Sequence, residues 1–235
     1  MWTGGDFLAS TPATIYWWSL WTVAAAAVIV FRVIAPFVRS HRHALRVDTV
    51  APDGAAGITV RVSGRDLRAL KARAGQFFVW RFLDGPGWMR GHPFSLSAAP
   101  GDTYALTARL VGDSTTRLAS LRPGTRVLVE GPFGEMTGDR RTGRKLLMVG
   151  AGAGVAPLVS LLEAERYEPG DAALVVRDTA DPDALLREPI SSLIRERGVR
   201  HFPLTGPRAG GNSPWLPATH TAWNGPDLLR YIAPD

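Results

Sequence analysis

The segment His92-Pro93-Phe94-Ser95 sets a flat apolar ring beside a hydroxyl. Pro93 stiffens the approach and cannot donate to a strand ladder, so an edge strand or loop is expected here. A ring face with one adjacent hydroxyl suits a planar heterocycle that also needs a hydrogen bond. An ordinary strand with a core Phe and a surface Ser satisfies the same four residues. A second group is Gly150-Ala151-Gly152-Ala153-Gly154-Val155-Ala156-Pro157. It follows the apolar run Lys145 to Val149 and precedes Leu158, Leu161 and Leu162 at helical spacing. A strand, a glycine turn and a helix together cradle a pyrophosphate, because glycines let the backbone approach it closely. Pro157 fits the first helical turn, where its missing N–H is not needed. Arg177 ends the apolar run from Ala172, at the strand edge where α/β proteins bind ligands. It could pair with a phosphate or simply be solvated.

These residues need elements to hold them. Alternating runs at 43–50, 58–63, 77–82, 104–110 and 126–130 read as strands. Breaks fall at Pro52-Asp53-Gly54, Asp84-Gly85-Pro86-Gly87, Pro100-Gly101-Asp102 and Arg122-Pro123-Gly124. Closely spaced strands with such turns indicate an antiparallel barrel or sandwich. Residues 114–121 read as a short helix capped by Asp113 or Ser114. Beyond 145 the texture changes to strand, helix 185–197 and strand 200–204, the alternation of a parallel sheet.

Four motifs in fixed order resemble the ferredoxin–NADP reductase superfamily, in the branch of ferric reductases and NADPH oxidases. They are Ala74-Gly75-Gln76-Phe77, His92-Pro93-Phe94-Ser95, Val111-Gly112-Asp113-Ser114-Thr115 and Glu130-Gly131-Pro132-Phe133-Gly134. The spacing Gly152-x-Gly154-x-x-Pro157 is similar to that family's NAD(P)H loop, and the likeness runs from about Leu45 to the C-terminus. It implies FAD and NADPH or NADH as cofactors. Phe94 would then pack on the isoalloxazine, and Ser95 would bond near its N5 edge as the residue closest to the chemistry. His92 would lie near the ribityl or phosphate, Pro93 would belong to the same cofactor-binding segment, and Ser114 and Thr115 would meet the pyrophosphate. Gly134 would turn the chain past the flavin. Gly152, Gly154 and Pro157 would hold the nicotinamide dinucleotide, with Arg177 on its adenosine side and Arg208 in a turn near the cofactor. The implied fold is a six-stranded Greek-key antiparallel barrel over 39–140, then an α/β domain with a parallel sheet over 141–235. No metal site is assigned.

Ahead of both domains, Ile15 to Val38 carries a single charge, Arg32. At about 1.5 Å per residue it is long enough to cross a bilayer core of roughly 30 Å. Tyr16, Trp17, Trp18 and Trp21 crowd one end, and Arg39, Arg42 and Arg46 follow the other. A transmembrane helix over 14–38 is expected, after an extracytoplasmic tail of 1–13, with both domains cytoplasmic. Arg32 is expected to snorkel to the interface. A signal peptide would need a positive segment before the apolar run, and no Lys or Arg precedes Arg32.

The 235 residues carry a net charge of +6, almost all of it from Arg, since only Lys71 and Lys145 are lysines. This suits a phosphate ligand or an anionic membrane surface. No basic stripe interleaved with aromatics points to nucleic acid. The absence of Cys excludes disulfides and thiolate chemistry. It also departs from the resembled family, whose next strand carries a Cys-Gly-Pro motif beside the nicotinamide. The family's paired haem-ligating His residues have no counterpart before His41. The chain therefore reads as a fragment, with haem available only from a missing membrane domain. The expected function is a membrane-anchored flavin oxidoreductase passing electrons from NAD(P)H through FAD. Haem, a ferric chelate, oxygen or a redox protein remain open as acceptor. The alternatives are a tethered flavin-binding protein without turnover, or a reductase of a soluble partner.

Overall fold

The computed structural model describes residues 10–85, 87–178, 184–207, 215–218 and 225–232. It begins with one continuous helix, α1, Thr11–His43. Ser10 caps it by accepting from the Ala13 amide. The helix is α-helical over Thr11–Ile29, widens to a π-turn over Val30–Ile34, and resumes over Ala35–His43. Pro36 accounts for the widening, because it has no N–H for the carbonyl of Arg32. α1 ends where Ala44 turns left-handed at φ 48°, with Leu45 N–H donating to Ser40 O. His43 is thus helical, and the strand expected from it starts at Arg46.

Six strands follow: β1 Arg46–Asp53, β2 Gly57–Ser63, β3 Phe77–Phe82, β4 His92–Ser95, β5 Thr103–Arg109 and β6 Val127–Phe133. They pair antiparallel as β1-β2-β5 and β4-β3-β6. Bridges from Arg46 to Arg126 and from Leu96 to Leu106 join the two sheets into a barrel. In β3 the alternation is strict: Phe78, Trp80 and Phe82 point into the core, while Phe77, Val79 and Arg81 point out. Val60, Val62, Leu96, Leu106 and Val129 complete that core. Pro52 stays in β1, opposite Ile58, so the first turn starts at Gly54. The helix expected over 114–121 is a single α-turn, α2 Asp113–Thr116, followed by a 3₁₀ turn.

The second domain holds β7 Leu146–Ala151, α3 Ala156–Ala164, β8 Ala172–Asp178, α4 Arg187–Arg197 and β9 Arg200–Thr205. Helix α5, Gly225–Ile232, comes last. The strands are parallel in the order β7-β8-β9. Central β8 is buried at every position, as a strand covered on both faces must be. α4 begins two residues later than its pattern suggests, because Leu186 sits left-handed at φ 56°.

The two domains are tied by specific bonds. Asp53 Oδ1 at the end of β1 accepts from Leu186 N–H at 2.7 Å. Ser160 Oγ of α3 donates to Ala98 O at 2.8 Å, and Glu163 Oε2 accepts from Ala99 N–H at 2.7 Å. Burial pushes the Glu163 carboxyl up, against the pull of the Ala99 bond and of Arg61 and Arg197.

Candidate functional site

β4 lies at the edge of its sheet, as Pro93 required, and pairs only with β3. Its carbonyl at Phe94 accepts from Trp80 Nε1 at 3.0 Å. The pleat sends its residues to opposite sides. His92 and Phe94 share the side of Trp80 and Phe78, with their rings 6.4 Å apart and both half-buried. Phe94 therefore leans on the barrel core and keeps one side accessible. Ser95 shares the other side with Phe77, and Phe77 is opposite Phe133. The Phe77 and Phe133 rings stand 5.6 Å apart, so a hydroxyl and two rings form a row across three strands. Gly134 turns away at φ 98°, and Gln76 Nε2 pins that turn by donating to Gly134 O at 3.0 Å. Exposed Pro93 takes no part in the row.

A cleft beside His92 is edged by Trp88, Arg90 and Arg117. Arg117 is bound to Asp84, with Nε 2.9 Å from Oδ2. At the turn into α2, Thr115 Oγ1 accepts from the Val111 and Gly112 amides at 3.1 and 3.2 Å and donates to Gly112 O. The Thr115 hydroxyl thus closes its own turn, and any ligand there would meet main-chain amides instead. For Ser114 the structure describes the helical backbone alone.

On the other domain, β7 runs into a 3₁₀ turn over Gly152–Val155 and then into α3, with Pro157 in its first turn. Gly152 has φ 51°, a conformation that strains any other residue. A Cβ on Gly154 would meet nothing within 4 Å, so the loop is open where a ligand would approach. Arg109 at the end of β5 faces this loop, its Nε and Nη2 3.7 Å from where a Gly152 Cβ would sit. Arg109 Nη2 also lies 3.0 Å from Asp178 Oδ1 at the end of β8. Nothing local marks Arg109, so this cross-domain pair emerges only when β5 and β8 meet.

Arg177 is held by main chain and not solvated. It is 6% exposed, and Nε donates to Trp215 O at 2.9 Å. Nη1 donates to Asp178 O and Leu204 O, and Nη2 to Gly206 O. Four of a guanidinium's five N–H groups are thus bound to main-chain carbonyls. The side chain braces the loops after β8 and β9. Arg208 lies outside the described residues.

Two further side chains escaped sequence reasoning. Ser97, two residues past β4, is 1% exposed, and its hydroxyl finds no partner among the described residues. Glu130, at the entry to the Gly131-Pro132-Phe133-Gly134 turn, is 5% exposed and sits between Arg81 and Arg32. Arg32 therefore does not simply snorkel, since its guanidinium turns to the barrel.

No protein-family model matches the chain. Mouse NADPH oxidase 1 is 29% identical over 157 residues, which cover 63% of this chain and 25% of that protein. Potato respiratory burst oxidase homolog protein D is 34% identical over 93 residues, 31% of this chain and 11% of its own length. The chain thus matches a quarter or less of either oxidase. Among solved structures, a ferredoxin NADP+ reductase from Neisseria gonorrhoeae with bound FAD and NADP superposes with a TM-score of 0.60. Its sequence is 24% identical, over 80% of this chain and 75% of that one. The chain is similar in sequence to NADPH oxidases and respiratory burst oxidases, and it has the two-domain fold seen in a ferredoxin NADP+ reductase.

Proposed function

We propose that this chain is the flavin- and NAD(P)H-binding module of a membrane-anchored oxidoreductase. One observation carries the reading. Ser95 stands three residues before Ala98, which α3 grips through Ser160, and α3 begins four residues after Gly152. One rigid joint thereby links the row Ser95, Phe77 and Phe133 to the glycine loop.

The residues fit the groups that the homologues' names imply. The aromatic row with its hydroxyl offers a planar face and a hydrogen bond to an isoalloxazine edge. The open Gly154 flank and the Arg109 guanidinium offer space and charge to a pyrophosphate. Bound here, FAD and NAD(P)H would supply hydride and single-electron chemistry, with Ser95, Phe77 and Phe133 holding the flavin ring and the Gly152–Val155 loop with Arg109 holding the dinucleotide. The chain's own residues orient the rings and exclude water. Neither acid nor base need be supplied by a side chain. With Arg177 engaged by carbonyls, NADPH and NADH are equally served by the described residues.

The anchor is α1. Most of its large apolar side chains from Ile15 to Val38 are exposed, while its barrel-facing side is engaged from Arg32 onward, with Pro36 buried. A tilted helix satisfies both. The arginines after Val38 favour a cytoplasmic barrel and an outer N-terminus. Haem in a longer membrane domain is the acceptor that best suits this placement; a ferric chelate, oxygen or a soluble redox protein are the others.

The test is to purify the chain, load it with FAD and add NADPH without oxygen. Bleaching of the flavin band supports the module. Flavin that binds but is never reduced favours a tethered flavin-binding protein, and a chain that takes up no flavin contradicts the proposal.

A further inference from the structure

A cavity of about 190 Å³ opens where α1 meets the barrel, away from the cleft at His92 and from the glycine loop. Phe37 and His41 of α1 form one wall, and Arg46, Arg65 and Arg126 form the other. No carboxylate lines it. Arg46 spends one N–H on Gly124 O at 2.8 Å. No hydrogen bond or ion pair among the described residues engages the guanidinium of Arg65 or Arg126. Three arginines held around one hollow repel one another unless an anion joins them.

The surroundings say what kind of anion. Phe37, which lines the cavity, is 54% exposed, and its helix neighbour Val38 is 59% exposed. Ile34, one turn earlier, is also exposed. An apolar flank running into a basic hollow is matched by an amphiphile with a phosphate head. A free phosphate would use only the lower half of this surface.

We propose that this cavity binds the phosphate of an anionic phospholipid headgroup, with the acyl chains lying along Ile34, Phe37 and Val38. The inference rests on the reading of α1 as a membrane helix. The fork of each guanidinium can take two phosphate oxygens, while Phe37 stays with the acyl chain. The lipid would fix the barrel against the bilayer at the junction that joins span to flavin site.

Native mass spectrometry of the full chain in detergent, titrated with phosphatidylglycerol and with phosphatidylcholine, tests this. The expected result is a preference for phosphatidylglycerol of about tenfold or more. The double substitution Arg65→Gln, Arg126→Gln should abolish that preference. The exposed pair Arg68→Gln, Arg122→Gln should leave it intact. Displacement of phosphatidylglycerol by millimolar inorganic phosphate would make the hollow a free-phosphate site and overturn the proposal. So would equal binding of both lipids, or loss of preference in both double variants. Flotation with phosphatidylcholine vesicles separates the two readings. A chain that floats without preferring phosphatidylglycerol loses the headgroup site and keeps its membrane helix. A chain that does not float loses both.

Discussion

Arg32 of α1 holds Nη1 3.5 Å from Oε2 of Glu130 on β6, and Arg81 of β3 meets the same carboxylate from the other side. Glu130 is 5% exposed, Arg81 15% and Arg32 65%. The anchor helix is thus keyed to the strand that runs into the Gly131-Pro132-Phe133-Gly134 turn. Removing the buried partner should cost far more than removing the exposed one. Glu130→Ala should destabilise the barrel by about 2–3 kcal/mol, because it strands Arg81. Arg32→Ala should cost less than about 1 kcal/mol. Denaturant unfolding of the two variants compares them; equal losses would mean that Glu130 is not the centre of the cluster.

Arg109 should matter to the nucleotide and not to the flavin. Arg109→Ala is expected to raise the KM for NADPH by about tenfold or more, the loss of one charge-assisted hydrogen bond, with FAD content unchanged. Asp178→Asn removes the charge that holds Arg109, so it should leave that KM unchanged or lower it. Steady-state kinetics with a flavin-linked dye reads both. Loss of FAD from Arg109→Ala would place the side chain on the wrong cofactor.

Arg177 should behave as a brace. Arg177→Ala leaves the carbonyls of Asp178, Leu204, Gly206 and Trp215 without their donor. A loss of about 2–4 kcal/mol in unfolding free energy is expected. The ratio of kcat/KM for NADPH to that for NADH should stay the same. A collapse of that ratio would restore Arg177 to the 2′-phosphate.

His201 on β9 makes the second domain sensitive to acid. Burial lowers its pKa below the usual 6.5, and its Nε2 has no partner among the described residues. The folded state therefore favours the neutral ring. That stability is present above pH about 6.5 and is lost as pH falls through the lower folded value. Melting temperature should drop across that window in the parent chain, and His201→Gln should flatten the drop. An identical slope in the variant would assign the acid lability to other groups.

Much of this architecture was legible because it is local. Phe78, Trp80 and Phe82 announce β3 by period alone, and Gly152, Gly154 and Pro157 place a turn and a helix start within six residues. The features that escaped notice are made by residues far apart in the chain. Arg109 and Asp178 are 69 positions apart, and no pattern marks either until β5 and β8 meet. Arg177 resembled a ligand residue because its acceptors come from Leu204, Gly206 and Trp215. Arg32 resembled a snorkelling residue because its partner lies on β6. The strand expected from His43 starts at Arg46 for a different reason: Ala44 ends α1 in a left-handed turn that usually calls for glycine.

The central claim is that the row beside β4 holds a flavin, and equilibrium titration of FAD into the purified chain tests it most directly. The account predicts stoichiometric FAD whose absorbance stays with the protein through gel filtration. Phe133→Ala and Ser95→Ala should each weaken retention by about tenfold while the fold persists. A folded chain that retains no FAD, or one whose affinity ignores both substitutions, would contradict it.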